Sequence, residues 1–268
     1  MPRTTGEIDV NGATLRYESS GEGPPLVLVH AGIADLRMWD PQVDAFSPRY
    51  QTIRYDMRGF GRSPIVPGPY AHHDDLRVLL DALDVERAFF VGCSMGGGAV
   101  LDFALENPRR VDALVLVGSA VGGFEYEGEP PEEWGEIVAA DEAGDLERVS
   151  ELEVRMWVDG PGRGPGAVDP AVRDLVREMN LIALQNEAMN LGEETDLDPP
   201  AATRLPEIQA PTLVLVGDKD QPRTLAAADL LAKGLPNARK AVMPDTAHLP
   251  NMERPDEFSH LVLNFLES

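Results

Sequence analysis

Apolar positions change their period along the chain, and the changes divide it into elements. Pro25-Leu26-Val27-Leu28-Val29, Ala88-Phe89-Phe90-Val91, Ala113-Leu114-Val115-Leu116-Val117 and Pro211-Thr212-Leu213-Val214-Leu215-Val216 are continuous apolar runs. Such runs form strands buried on both faces of a parallel sheet. Thr52-Ile53-Arg54-Tyr55 and the stretch near Lys240–Met243 read as two more strands. Glu7–Val10 and Thr14–Glu18 are short strands joined by Asn11-Gly12, the strongest two-residue hairpin signal, so this first pair is expected to be antiparallel. Helical spacing appears between the runs: Trp39, Val43 and Phe46; Leu76, Leu79, Leu80 and Leu83; and the stretches Gly97–Asn107, Thr224–Lys233 and Asp256–Leu266. Strand and helix alternate up to Gly118, which predicts a doubly wound α/β sheet.

From about Ser119 to Pro206 the alternation stops. This stretch is dense in Glu and Asp, holds no convincing strand, and shows amphipathic helical pieces near Glu132–Ala140, Leu146–Trp157 and Val172–Leu191. The breaker-rich run Asp159-Gly160-Pro161-Gly162-Arg163-Gly164-Pro165-Gly166 separates them. The expected organisation is therefore a core domain of residues 1–118 and 207–268 and an inserted helical cap of residues 119–206.

Charge narrows the partners. With 46 Asp plus Glu against 23 Lys plus Arg, the formal net charge of −23 repels nucleic acid and anionic membrane surfaces. The single cysteine, Cys93, excludes internal disulfides and multi-cysteine metal sites, and its plain reading is a small buried apolar residue. Met1–Val10 carries no apolar core of signal-peptide length and no run approaches a membrane span, so a cytoplasmic location is expected.

Chemistry concentrates at Val91-Gly92-Cys93-Ser94-Met95-Gly96-Gly97-Gly98. Gly92-x-Ser94-x-Gly96 follows an apolar strand and precedes a helix, the context of a nucleophile elbow. A serine hydroxyl needs a base, and the base needs an orienting acid. His248 lies after the last strand, in Asp245-Thr246-Ala247-His248-Leu249-Pro250. Asp220 follows the strand ending at Val216, in Gly217-Asp218-Lys219-Asp220, with Asp218 and Asp245 as competitors for the acid role. All fall at carboxyl ends of strands, where open α/β sheets place their sites. Two backbone N–H groups should receive an oxyanion: Met95, after the nucleophile, and Gly32, with Ala31 as the neighbouring alternative. His30 is expected to hold the loop that follows it, and His72, His73 and His260 to be helix-start or surface residues. The Gly- and Arg-rich loop Asp56–Pro64 meets neither phosphate-binding motif and is read as a tight ordered loop.

These residues together resemble the α/β-hydrolase fold superfamily over nearly the whole chain: the strand into His30-Ala31-Gly32, the loop Asp56-Met57-Arg58-Gly59-Phe60-Gly61-Arg62-Ser63, the elbow, Gly217-x-x-Asp220, and His248 followed by Glu253-x-Pro255. Ala31 stands where the family usually has glycine. Within it the chain looks most like the capped serine esterases, 3-oxoadipate enol-lactonases and non-haem haloperoxidase-like enzymes. Ser94 sets it apart from haloalkane dehalogenases and epoxide hydrolases, which carry Asp there, and from dienelactone hydrolases, which carry Cys.

The resemblance implies a mostly parallel eight-stranded sheet flanked by helices with an inserted cap, and hydrolysis of a small carboxylic ester or lactone through an acyl-enzyme on Ser94. No metal or organic cofactor is implied, and no nucleic-acid or membrane partner. The oligomeric state, monomer or homodimer, stays open. Alternatives on the same fold are hydrolysis of a carbon–carbon bond in a β-diketone-like substrate and a haloperoxidase or perhydrolase; a ligand-binding signalling protein on a hydrolase scaffold is the alternative of another class. Candidate substrate-pocket residues in the cap are Trp134, Met156, Trp157, Met179, Met189 and Leu191, although apolar residues on such helices more often serve packing. Arg155 and Arg163 stand out in the acidic segment as possible partners of a substrate carboxylate, against a plainer role in surface charge balance.

Overall fold

The computed structural model describes residues 3–268. In chain order the strands are β1 (Arg3–Val10), β2 (Ala13–Ser20), β3 (Pro25–Val29), β4 (Gln51–Tyr55), β5 (Pro69–Tyr70), β6 (Ala88–Cys93), β7 (Val111–Val117), β8 (Glu193–Glu194), β9 (Thr212–Gly217) and β10 (Ala238–Met243). Eight of them form one sheet in the order β1-β2-β4-β3-β6-β7-β9-β10. β1 and β2 make the expected antiparallel hairpin, with Val10 opposite Ala13. Its turn residues Asn11 and Gly12 have φ of 45° and 83°, the left-handed pair a two-residue hairpin requires. β2 is also antiparallel to β4, and from β4 to β10 every pairing is parallel.

Because successive side chains point to opposite faces, each apolar run feeds two cores. Val27, Val29, Phe90, Leu114, Leu116, Val214 and Val216 fill one core, and Leu26, Leu28, Val91, Cys93, Val115, Val117, Leu213 and Leu215 fill the other. The first is closed by α2 (His72–Ala82), α3 (Met95–Glu106) and α7 (Pro222–Gly234); the second by α1 (Asp40–Phe46) and α9 (Pro255–Leu266), with the short α8 (Pro250–Glu253) between the last strand and α9. Trp39 packs into the second core from a 3-10 turn, Leu36–Trp39, just ahead of α1.

Between β7 and β9 lie α4 (Trp134–Glu142), α5 (Leu146–Val154) and α6 (Pro170–Glu187). Ile137, Ala140, Val149, Leu152, Met156 and Leu184 form a small core of their own, while Val154, Val158, Val176 and Met179 reach down into the second main core. Two details differ from the sequence reading. The α5 pattern runs on to Trp157, but Arg155–Asp159 forms a π-helical turn. This segment also contains a strand, β8, which pairs in parallel with β5, Tyr70 opposite Glu194. Among the described residues, no helix is long and apolar enough to cross a membrane.

Candidate active site

The carboxyl ends of β3, β6, β7, β9 and β10 converge, and each contributes to one site. The sharpest feature is at the end of β6. Ser94 has φ 53° and ψ −116°, the backbone of the first central residue of a type II′ turn and ordinarily glycine's territory. The surroundings hold it there: Ser94 N–H donates to Val117 O at 2.9 Å, and Ser94 O accepts from Gly98 N and Ala120 N, both at 3.0 Å. The flanking glycines are steric necessities. A Cβ on Gly92 would lie 2.5 Å from Gly96 O and 2.8 Å from Gly97 Cα, and one on Gly96 would strike His30 O.

His248 Nδ1 lies 2.9 Å from Asp220 Oδ2 and 3.1 Å from Oδ1. A carboxylate only accepts, so this pair assigns the proton to Nδ1 and leaves the lone pair on Nε2. Both residues are buried. A Cβ at Gly118, next after the Val117 that holds Ser94, would sit 3.1 Å from the imidazole and 3.2 Å from the Asp220 carboxylate. That glycine, at φ 49°, is what lets the pair stand beside the elbow. The competing acids lie elsewhere: Asp218 Oδ1 accepts from Asp245 N at 2.7 Å and Asp218 Oδ2 meets Lys219 Nζ at 3.0 Å, while the Asp245 carboxylate is exposed.

Gly32 lies against Met95; a Cβ there would come 3.0 Å from Met95 Cε. Its neighbour Ala31 directs its N–H at Met38 Sδ, 3.3 Å away, so that N–H is already engaged. His30 fixes this loop as expected. Met57 N–H donates to His30 Nε2 at 2.9 Å, which leaves the Nδ1 proton to donate to Ala31 O at 2.8 Å. Burial brings its pKa down to about 4, so the ring is neutral near pH 7. The Asp56–Pro64 loop is ordered by Asp56, whose carboxylate accepts from Leu36 N and Arg62 N, both at 2.9 Å. Cys93 is fully buried, its thiol 3.8 Å from His248 O, and burial pushes its pKa up.

The helical segment forms a roof over the histidine. Trp157 stacks on it with ring centroids 4.5 Å apart, and Trp157 O accepts from His248 N at 3.2 Å. Gln221, next to Asp220, donates to Met156 O at 2.7 Å. Glu253 accepts from Ala247 N at 2.6 Å and from Arg163 at 2.7 Å. Burial raises the Glu253 pKa against both contacts. Arg163 is thus a structural tie, and Arg155 lies with it at a separate surface hollow rather than over the elbow.

Between the elbow and this segment is a cavity of about 350 Å³, bordered by Gly32 and Met95. Of the sequence candidates for its lining, Leu191 alone borders it, while Met179 packs in the second main core. Trp134 and Met189 are 51% and 56% exposed, and Met156 is in the small core. Trp157 is over His248 instead. The cavity wall is mixed: Ile33, Phe60, Ile65, Leu184 and Leu191 supply its apolar part, and Tyr70, His72, Glu153, Asn180, Glu187 and Glu194 its polar part. His72 takes the helix-start alternative of the sequence reading. It begins α2 and is buried rather than a surface residue, because the β5–β8 pair folds over it. Among the described residues, no group of three or more His, Cys, Asp or Glu side chains is arranged to hold a metal ion.

The sheet, the elbow and the helical segment between β7 and β9 define an α/β hydrolase, and the comparisons agree: residues 24–153 match the model of the alpha/beta hydrolase fold. The chain belongs to this family. It is 31% identical over 262 residues to a 2-hydroxy-6-oxononadienedioate/2-hydroxy-6-oxononatrienedioate hydrolase of Paraburkholderia phymatum, covering 94% of this chain and 90% of the relative. It is 26% identical to 3-oxoadipate enol-lactonase 1 of Acinetobacter baylyi, with 96% and 94% covered. The solved enol-lactonase of Burkholderia xenovorans LB400 superposes with a TM-score of 0.80 at 28% identity, over 98% of this chain and all of that one.

Proposed function

We propose that the protein is a serine hydrolase that cleaves a small carboxylic ester or lactone, with Ser94, His248 and Asp220 as its triad. The observation that carries this is Asp220 holding the His248 Nδ1 proton beside a serine kept in a glycine-like backbone conformation. In this reading His248 Nε2 takes the Ser94 proton as Oγ attacks the carbonyl carbon. The Met95 and Gly32 N–H groups receive the oxyanion, and the imidazolium returns the proton to the leaving group. Water, deprotonated by the same histidine, then releases the acid and frees Ser94. Asp220 orients the ring and stabilises its charge. No step calls on a cofactor. Residues 119–206 act as the cap that selects substrate, which their roof over His248 and their share of the cavity wall support.

Relatives named as hydrolases of 2-hydroxy-6-oxo dienedioates keep carbon–carbon bond hydrolysis as a second reading on the same residues. A panel of short 4-nitrophenyl esters, lactones and β-diketones tests both, with Ser94→Ala as the blank. The ester or lactone rate should fall by at least about 10⁴-fold in the variant. Equal rates on the blank overturn the mechanism; turnover confined to the β-diketones overturns the ester assignment.

A further inference from the structure

Three carboxylates, Glu153, Glu187 and Glu194, share the wall of the cavity that opens beside Gly32 and Met95. One guanidinium, that of Arg58, borders the same space, but it is already committed. It donates to Asp75 through Nε at 2.8 Å and Nη2 at 2.9 Å, and Nη2 also reaches the Val10 and Asn11 carbonyls at 3.2 Å. The wall therefore holds more carboxylates than uncommitted cations where a substrate's remote part would lie; burial raises the pKa of Glu153 and of Glu194, and a bound cation would offset that.

A second feature points to a ligand. His72 lines this cavity and is only 5% exposed, yet neither ring nitrogen has a hydrogen-bond partner. Glu194 Oε1 is the nearest carboxylate oxygen, 3.8 Å from Nε2 and too far to satisfy it. Both nitrogens are closed off from solvent in the unliganded chain; orphaned buried polar atoms are costly, so a small turn of this cavity-lining ring would let a substrate donor pair with one of them. Burial, the largest influence, and nearby positive groups bring the His72 pKa to about 3. The ring is thus neutral near pH 7 and offers a lone pair beside a carboxylate. An ammonium N–H can donate to both.

Resting on the ester or lactone reading above, we propose that this cavity takes the part of the substrate remote from the reacting carbonyl, that it prefers a protonated amine there, and that it excludes a carboxylate. His72 and Glu194 receive the ammonium, and Glu153 and Glu187 supply the field. The chain would then part company with relatives named for 3-oxoadipate or dienedioate substrates, which are anions.

The test uses the full chain hydrolysing the neutral ester 4-nitrophenyl butanoate, with hexylammonium and hexanoate as competing ligands of equal chain length. Hexylammonium should inhibit with a constant lower than that of hexanoate by more than about tenfold. In the double variant Glu153→Gln/Glu194→Gln the two constants should come within about threefold of each other. Hexanoate binding as well as or better than hexylammonium overturns the proposal, and so does a gap that survives the double variant. If butanoate hydrolysis persists in Ser94→Ala, the triad reading falls instead. The same two ligands are then compared by calorimetry on the folded protein, where the same order of affinities and its collapse in the double variant are required.

Discussion

Ser94 combines two demands that conflict. Its φ of 53° with ψ of −116° costs a non-glycine residue about 1–3 kcal/mol, a strain retained at functional sites because it aims a side chain. Ser94→Gly should therefore be more stable than Ser94→Ala. Chemical denaturation should place it about 1 kcal/mol above Ser94→Ala, and equal or reversed midpoints would mean that the turn is relaxed. His72 makes a second prediction, about pH. Its folded pKa of about 3 lies below the ordinary imidazole value of 6.5, so the folded state keeps the ring neutral while the unfolded chain takes up a proton. That contribution is fully present above about pH 6.5 and is lost as pH falls toward the folded pKa, at about 1.4 kcal/mol per unit. Asp56 and Asp102, whose pKa values burial raises to about 6, act in the opposite sense. The clean measurement is thus a difference: the stability of the native chain minus that of His72→Phe should fall between pH 6 and 4. A flat difference would show that the ring is not held neutral.

Among the elements, the loop carrying His248 is set by its ties to the roof. Arg163 Nη2 meets Glu253 at 2.7 Å with side chains only 13% and 5% exposed, and the same carboxylate grips Ala247 N, one residue before the histidine. Arg163→Ala leaves Glu253 without its cation in a buried place. The expected cost is about 2 kcal/mol of stability, with kcat reduced severalfold and KM for a small ester little changed. An unchanged kcat would reduce the tie to a surface contact.

This part of the molecule also marks how far sequence carries. The buried strands, the elbow and the hairpin are legible because each is a local pattern: an apolar run, a glycine–serine–glycine turn, an Asn-Gly pair. The choice of Asp220 over Asp218 is not local, since it turns on Asp218 accepting the Asp245 N–H from another loop. Nor is the cavity wall. Tyr70 and His72, Glu153, Asn180 and Glu187, and Glu194 come from four separated stretches and meet only when β5 pairs with β8. Two-residue strands leave no periodic trace, and apolarity, which nominated the wall residue Leu191 alongside Trp134, Met156 and Met189, misses the polar part of the wall. The π-helical turn at Arg155–Asp159 escapes for a related reason: its pattern begins as an ordinary helix.

At the scale of the whole molecule, 46 acidic side chains against 23 basic ones give a field that acts on stability and on encounter. Exposed pairs such as Arg148–Glu136 contribute little and weaken in salt, whereas the unpaired excess of like charge opposes the compact state. Screening should therefore stabilise. Raising NaCl from about 10 mM, where the Debye length is about 30 Å, to about 0.5 M should raise Tm by a few degrees. A falling Tm would mean that the ion pairs outweigh the excess.

The ties between roof and histidine loop bear on how such a fold could be rebuilt. Gln221 is hydrogen-bonded to the Met156 carbonyl, the His248 amide to the Trp157 carbonyl, and Glu253 to Arg163. Each joins residues far apart in the chain. Exchanging the segment between β7 and β9 with that of a relative would bring new helices but orphan the polar groups left behind in the core. The smallest transplantable unit is the roof together with Gln221 and the stretch from Ala247 to Glu253. Under the proposed function, substrate preference and the seating of the histidine would be inherited as one piece.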